Sequence, residues 1–255
     1  MKRRSLLLLP AALAASALLA SACGRQDDSL TVVRQRGSLR VALDPSFPPF
    51  EMLAGEGSLQ GLDVELAQLI SAQLGLDLDL RSISFDGLYD ALAAGEIDVI
   101  ASALPYDPLR TQDVRYSDPY FEDGVVLIAP PGSSGDDLNA MNGSLAVEIG
   151  SEASLLTRQA AEGVTILQFT SEPEVLAAVW TGKAGHGLAN KVSACLYRRD
   201  GTSLTIVRQV SRTPYCLALR AQDASLGQAV SDALRQVLAG DAWKQAKTRW
   251  LGDGC

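Results

Sequence analysis

Histidine is almost missing from this 255-residue chain, since His186 is the only one. A metal centre built on imidazole ligands therefore has too few ligands to form. The four cysteines, Cys23, Cys195, Cys216 and Cys255, also lack the close spacing of structural metal sites. We predict neither a metal nor another cofactor, and we expect His186 to pack in the core.

Basic residues are outnumbered as well. The chain has 22 Lys and Arg against 30 Asp and Glu. Three of the basic residues lie in the first 22 positions, which hold no acid, so the remainder carries 19 bases against 30 acids, a net charge near −11. A chain with this charge is repelled by phosphate backbones and by anionic lipid. Nucleic acid and anionic lipid are therefore not expected as partners.

Long apolar runs are missing too. A bilayer span takes about 20 residues, and no apolar run of this chain is that long. The longest run, Leu6 to Leu19, follows the basic residues Lys2 to Arg4 and precedes small residues, as in a secretory signal peptide. Cys23 directly after those small residues resembles a bacterial lipobox. We predict that residues 1–22 are removed and Cys23 is lipidated. The protein is then extracytoplasmic, periplasmic or lipid-anchored to the cell membrane, with residues 23–37 as a polar linker.

Strand-like and helix-like segments alternate along the rest of the chain. The first run of alternating segments comprises residues 39–43, 62–75, 78–83, 85–96 and 98–103. After an apolar strand at 124–130 and a turn-rich break, a second run comprises residues 144–150, 152–162, 164–169, 172–181, 185–189 and 190–197. This alternation is typical of parallel sheets covered by helices.

Two such runs predict two lobes, the second inserted into the first. The chain is expected to leave the first lobe near residues 126–129 and to return near 214–217. We therefore predict an α/β protein of two doubly wound lobes joined by two hinge strands. The first lobe comprises residues 38–127 and 215–255, and the second comprises residues 128–214.

Arg110 follows the predicted buried strand Asp98 to Ala103, which two prolines bring to an end. Ligands of open α/β sheets bind beyond the carboxyl ends of the strands, and a guanidinium matches a carboxylate in two parallel hydrogen bonds. Arg110 is therefore a candidate ligand contact. The alternative is a surface arginine paired with Asp107 or Asp113.

Several segments together resemble one known family. They are LRVALDPSFPPFEM at 39–52, GLDVELAQLI at 61–70, FDGLYDALAAGEIDVIASA at 85–103, Arg110 with YSDPYF at 116–121, and DALRQVLAGDAWKQAKTRWLG at 232–252. Their order and spacing are similar to those of the bacterial extracellular solute-binding proteins, family 3, the amino-acid receptors of ABC importers. The resemblance implies a type II periplasmic-binding-protein fold whose lobes close on a small solute and deliver it to an ABC permease. We expect a monomer without enzymatic activity.

The resemblance also implies a set of ligand-binding residues in the first lobe. Asp44 and Phe47 match the acidic and aromatic residues of the family's first loop, and Phe85 matches a second aromatic wall. Ser102 falls at a strand end that the family uses for ligand contact, and Arg110 falls on the arginine that clamps the ligand carboxylate. Two alternatives stay open, in which Asp44 caps its loop and Phe47 plugs the core.

Other positions either extend this set or depart from the family. Ser151 and Glu152 follow Gly150 in a turn whose backbone N–H groups face the ligand carboxylate in the family. Asn190 stands where amino-acid binders usually carry an aspartate for the ammonium group. Asp107 replaces a customary threonine, and it either restores that negative charge or caps the next turn. The expected solute is therefore a small polar carboxylate, an amino acid or a relative without the amine.

Two further expectations concern chemistry. A dehydratase on the same scaffold would need a general acid such as Glu148, Glu152 or Asp107, but no nucleophile with its base is visible in the sequence. A disulfide between Cys195 and Cys216 is plausible, because both lie in the same half of the chain and an exported protein meets an oxidising compartment.

Overall fold

The computed structural model describes residues 27–130, 133, 143–157, 163–199 and 204–252. The predicted signal peptide, Cys23 and Cys255 lie outside these residues. Up to the first crossing between the lobes, the helices and strands follow in the order α1 (Ser29–Arg36), β1 (Ser38–Leu43), β2 (Ser46–Phe47), β3 (Glu51–Leu53), β4 (Leu59–Gln60), α2 (Leu62–Leu74), β5 (Asp77–Ser82), α3 (Phe85–Ala93), β6 (Val99–Ile100) and β7 (Val114–Tyr116).

The middle of the chain crosses to the second lobe, builds it and returns. Its elements are β8 (Phe121–Asp123), β9 (Val125–Ala129), β10 (Ser144–Glu148), α4 (Glu152–Leu156), β11 (Thr165–Phe169), α5 (Glu172–Trp180), β12 (His186–Asn190), α6 (Lys191–Arg199), β13 (Thr205–Gln209) and β14 (Thr213–Tyr215). The end of the chain completes the first lobe with β15 (Ala218–Arg220), α7 (Ala224–Ala239) and α8 (Asp241–Leu251).

Each lobe is built around its own mixed sheet. The first sheet has the strand order β5-β1-β6-β15-β7, with β1 parallel to β5 and β6 and with β15 antiparallel to its neighbours. The second has the order β11-β10-β12-β9-β13, with β10 parallel to β11 and β12. Apolar clusters cover both faces of each sheet. The predicted two-lobed α/β architecture is confirmed.

The two crossing segments pair with each other as a short antiparallel ribbon. In this ribbon β8 lies beside β14, with Phe121 opposite Tyr215 and Asp123 opposite Thr213. The chain therefore leaves the first lobe a few residues before the predicted boundary. The reason is that Val125–Ala129 is buried along its whole length and belongs entirely to the second sheet.

Helix α2 forms as its sequence predicts. Its buried stripe includes Leu62, Leu66 and Ile70, and Gly75 ends it in the left-handed conformation. Gly61 before the helix has φ +138°, and a Cβ there would come within 2.1 Å of the Phe50 carbonyl oxygen. The close approach of these two backbone segments positions the small sheet β2-β3-β4 on the first lobe.

Part of the predicted linker is folded. Residues 29–36 form α1, whose buried Val33 joins the first-lobe core and which packs against α7. Ser29 Oγ also accepts a hydrogen bond from the backbone N–H of Leu226 in the first turn of α7. The polar composition concealed this contact because one apolar side chain and a few hydrogen bonds are enough to dock a short helix.

No helix among the described residues is both long and apolar enough to cross a membrane.

Candidate functional site

Two cavities lie close to the hinge ribbon, one in each lobe. The cavity of the first lobe measures about 290 Å³ and is lined by Phe47, Phe85, Ser102 and Tyr215, among others. The cavity of the second lobe measures about 340 Å³ and is lined by Phe47, Glu148, Ser151, Glu152, Glu172 and Asn190, among others. Phe47 belongs to both linings. The two cavities are therefore neighbouring parts of one cleft between the lobes.

Aromatic rings form the apolar wall of the first-lobe cavity. Phe47 is 46% exposed and stacks on Phe50 at a centroid distance of 5.7 Å, whereas Phe50 is fully buried. The Phe50 ring in turn makes edge contacts with Phe121 and Tyr215 of the hinge ribbon. Phe50 is thus the core plug, while Phe47 presents its ring to the cleft. Phe85, the first residue of α3, is 43% exposed at the same cavity.

Hydrogen bonds fix the polar groups of this wall. The Asp44 backbone N–H donates to Ser102 Oγ at 3.0 Å, and Ser102 Oγ donates to Glu51 Oε1 at 2.8 Å. The Asp44 carboxylate accepts a hydrogen bond from the Phe85 backbone N–H at 2.8 Å, at the start of α3. Asp44 and Ser102 therefore line the cleft as parts of its frame, with Asp44 in the capping role.

Glu51 and Asp63 form a pair of buried acids beneath this wall. Asp63 is fully buried and accepts hydrogen bonds from the Tyr120 hydroxyl and the Ala103 backbone N–H. Glu51 Oε2 and Asp63 Oδ1 have no hydrogen-bond donor among the described residues. Burial raises the pKa of both carboxyls, and the Asp63 charge raises the pKa of Glu51 further. A proton on Glu51 would supply the donor that these two oxygens lack.

Ala103 has φ +39°, the one positive φ at a non-glycine residue in the described part of the chain. The residue follows the strand-end Ser102, lines the first-lobe cavity and donates its N–H to Asp63. A left-handed conformation is strained for a residue with a Cβ, and such strain concentrates at functional sites. The buried acid therefore holds the backbone of the cleft wall in this conformation.

The second-lobe wall is built at the starts of two helices. Ser151 caps α4, since its hydroxyl accepts from the Ser154 N–H at 3.2 Å and donates to the Glu148 carbonyl at 2.8 Å. The Glu172 carboxylate in the first turn of α5 accepts a hydrogen bond from the Asn190 backbone N–H. Glu148 and Glu152 line the same cavity. The structure thus brings the predicted residues Ser151, Glu152 and Asn190 together.

Both ends of the Asn190 amide are occupied. Its Oδ1 accepts hydrogen bonds from the backbone N–H groups of Val192 and Ser193, at 2.9 and 3.4 Å, and so caps α6. Its Nδ2 donates to Asp123 Oδ2 at 3.0 Å. The same Asp123 oxygen accepts from the Tyr215 hydroxyl at 2.8 Å. Asn190 therefore ties the second lobe to both strands of the hinge ribbon.

Arg110 and Asp107 lie outside the two cleft cavities. Asp107 caps the turn Pro108–Arg110, with its Oδ1 accepting from the Leu109 N–H at 2.9 Å. The Arg110 guanidinium lies 4.1 Å from the centre of the Tyr89 ring and 3.4 Å from Asp107 Oδ2. It lines a separate surface pocket with Tyr89 and Asp90. Of the alternatives for Asp107, the structure shows the cap.

The predicted disulfide between Cys195 and Cys216 is wrong. Cys195 is disulfide-bonded, whereas Cys216 is a free buried thiol. Cys216 lies beside β15 in the first lobe, where its N–H donates to the Leu104 carbonyl, and Cys195 lies on α6 in the second. Proximity along the chain failed as a guide because the chain changes lobe between the two cysteines.

Several residues of the cleft were not predicted as site residues. They are Glu51, Asp63, Asp123, Glu172 and Tyr215. A usable signal existed for two of them, because Glu51 stands between Phe50 and Met52 and Asp63 stands between Leu62 and Val64. Acids buried in such segments need partners, and partners of that kind gather at sites.

Every charged residue among the described ones that line the two cavities is an acid. Within the described chain, however, no group of three or more His, Cys, Asp or Glu is arranged to hold a metal ion. The acidic lining instead suits a solute with ammonium or other cationic groups.

Two α/β lobes joined by two hinge strands, with a cleft between them, define a type II periplasmic binding protein. The family model of bacterial extracellular solute-binding proteins, family 3, matches residues 39–253, and this chain belongs to that family.

Similar proteins agree with this assignment. The L-cystine-binding protein TcyJ of Escherichia coli K12 is 26% identical over 230 residues, covering 88% of this chain and 86% of TcyJ. A probable histidine-binding protein of Neisseria gonorrhoeae is 29% identical over 240 residues, covering 90% and 89%. The fold is also that of the L-cystine solute receptor of Neisseria gonorrhoeae in its unliganded open conformation, with a TM-score of 0.79, 19% identity, and coverage of 88% of this chain and 97% of that one.

Proposed function

We propose that this protein is the substrate-binding lipoprotein of an ABC importer and that it captures an amino acid by closure of its two lobes. The observation that carries the proposal is the pair of cavities that face one cleft across a hinge of two strands. Ligand contacts from both walls exist together only in the closed state, so binding favours closure. The names of the relatives, which bind cystine and histidine, support an amino acid as the solute.

The charge of the cleft supports a solute that carries an amine. Glu148, Glu152 and Glu172 line the second-lobe cavity, and no Lys, Arg or His lies among the described residues of either lining. A solute without an amine would leave these acids without a positive partner. Of the two solute classes that the sequence left open, the amino acid is therefore favoured.

Arg110 remains our proposed clamp for the solute carboxylate. The Arg110 guanidinium lies over the ring of Tyr89, one turn along α3 from Phe85. Phe85 lines the cleft, and side chains four residues apart on a helix are separated by about 5–6 Å. A change of rotamer moves the guanidinium by such a distance. We propose that Arg110 leaves Tyr89 and Asp107 when a solute carboxylate enters between the closing lobes.

Calorimetry and thermal-shift measurements with the twenty L-amino acids and L-cystine test the function. We expect at least one of them to bind and to stabilise the protein, and binding by none of them contradicts the proposal. Arg110→Ala should weaken binding of that amino acid by about tenfold or more, the scale of a lost charge-assisted hydrogen bond. The matched control is Arg235→Ala, an exposed arginine paired with Asp232, which should leave affinity unchanged. Unchanged affinity in Arg110→Ala removes the clamp.

The remaining parts of the proposal concern place and partners. We propose that Cys23 carries the lipid anchor, that a monomer presents its solute to an ABC permease, and that the protein is not an enzyme. Cys23→Ala should move the protein from the detergent phase to the aqueous phase in a phase-partitioning assay. Turnover of a cyclic dienyl carboxylate by the purified protein would favour the dehydratase alternative instead.

A further inference from the structure

Asn190 cannot serve an ammonium group in the way that the aspartate of its relatives does. Its Oδ1 already accepts two backbone hydrogen bonds at the start of α6, which fixes the orientation of the amide. Its Nδ2 is a donor and points to Asp123. The Asn190 amide carries no charge, so a counter-charge for a solute amine has to come from another residue.

The Asp123 carboxyl forms no ion pair among the described residues, although its charge acts on the Lys191 ammonium. It is fully buried in the hinge ribbon, and its Oδ2 accepts hydrogen bonds from Asn190 and Tyr215. Its Oδ1 has no partner among the described residues, and no Lys or Arg nitrogen of those residues lies within 4.0 Å of it. The neighbouring Lys191 directs its Nζ to the Glu122 carbonyl at 3.0 Å.

The position of Asp123 connects it to both parts of the cleft. Tyr215 lines the first-lobe cavity and Asn190 lines the second, and each lies one hydrogen bond from the same Asp123 oxygen. A buried charge without a counter-ion is costly to keep, and it acts strongly on nearby charges because little water screens it. A cation brought next to Asn190 would offset that cost.

We propose that Asp123 supplies the negative charge against which the ammonium group of the solute is held, and that it thereby determines specificity for amino acids over their des-amino analogues. The inference rests on the proposed function. Asn190 serves as the neutral link that holds the Asp123 carboxylate in place behind the cavity wall. The charge that the family resemblance leads one to expect at the start of the helix is thus carried by the hinge in this chain.

The test compares each amino acid that binds the wild type with its des-amino analogue, for example L-histidine with imidazolepropionate or L-cystine with dithiodipropionate. Asp123→Asn keeps the shape and removes the charge. It should lower affinity for the amino acid by about 30-fold or more, as expected for a lost buried charge partner, and leave the analogue within about threefold. The double variant Asp123→Asn with Asn190→Asp returns the charge to the helix start and should restore most of the affinity.

Asn190→Ala keeps the test decisive even where Asp123→Asn fails to fold. With Asp123 intact and still held by the Tyr215 hydroxyl, this variant should still prefer the amino acid over its analogue. Loss of that preference means that Asn190 itself recognises the amine and overturns the proposal. Equal loss of affinity for both compounds in Asp123→Asn also overturns it, since it indicates a purely structural hinge residue.

The failures of the two proposals are distinguishable. A wild-type protein that binds no amino acid contradicts the proposed function, and the present inference falls with it. A wild-type protein that binds an amino acid and its des-amino analogue equally well contradicts this inference alone.

Discussion

The two halves of the cleft use their acids in opposite ways. In the first lobe each carboxyl is committed to the frame: Asp44 holds the start of α3, and Glu51 and Asp63 hold the strand end at Ser102 and Ala103. In the second lobe only Glu172 is committed, to the Asn190 backbone N–H, while the side chains of Glu148 and Glu152 have no hydrogen-bond or ion-pair partner among the described residues. The first half is therefore organised before a solute arrives, while the second half still has two carboxylates available to contact a solute.

The largest effect should come from removing the aromatic plug of the organised half. Phe50→Ala deletes a fully buried ring in contact with Phe47, Phe121 and Tyr215. We expect a loss of about 3–5 kcal/mol in the free energy of unfolding, measured by urea denaturation. Leu155→Ala, an exposed position on α4, is the matched control in the other lobe and should change little. A small effect of Phe50→Ala would mean that the first half is not rigid.

A pair of serines sharpens the comparison at intermediate size. Ser102→Ala removes the donor to Glu51 Oε1 in a buried network and should cost about 1–3 kcal/mol. Ser151→Ala removes a partly exposed cap from α4, a five-residue helix, and should cost about 1 kcal/mol or less. Denaturant midpoints of the two variants check the order. Equal costs would show that both halves depend on their polar frames to the same degree.

The smallest effect should come from Glu51→Gln at about pH 4, below the ordinary glutamate pKa of 4.5, since glutamine mimics the protonated acid and the unfolded chain also holds its proton there. Burial raises the pKa of Glu51, so the folded state holds this proton over a pH range in which the unfolded chain has lost it. Wild-type stability should therefore fall as pH rises through that range, by at most about 1.4 kcal/mol per pH unit. The variant should lose this slope.

Thermal midpoints between pH 6 and pH 9 measure this difference, and Gln73→Ala, an exposed change, should keep the wild-type slope. Identical slopes in wild type and Glu51→Gln would mean that Glu51 is ionised in the folded protein.

Patterns of neighbouring residues were sufficient to predict the architecture. The apolar stripe of α2 and the Gly75 that ends it predicted both ends of that helix to within one residue, because helix periodicity and a left-handed cap are local properties. The alternation of strands and helices also predicted the two lobes. The cap by Asp107 was available for the same reason, since it acts on the Leu109 N–H two residues away. Asp44 caps α3 at Phe85 rather than its own loop, and that distant contact is not a local property.

What the sequence concealed depends on which distant segments meet. The burial and the hydrogen-bond partners of Asp123 follow from the pairing of β8 with β14 and from the position of Asn190 beside them. Neither is visible in a local pattern. The disulfide of Cys195 was missed for the same reason. The resting position of Arg110 depends on a ring in another segment, since Tyr89 offers the guanidinium a stacking surface that motif spacing does not reveal.

Gly124 joins the hinge strand β8 to the second-lobe strand β9, and its φ is +121°. A Cβ there would come within 2.4 Å of the Ser211 carbonyl oxygen on the returning strand. The two crossing segments are therefore already as close as backbone atoms allow, and neither can slide toward the other. Any side chain at position 124 would push the outgoing and returning segments apart at the base of the second lobe, so the spacing of the two connections between the lobes depends on the absence of a single methyl group.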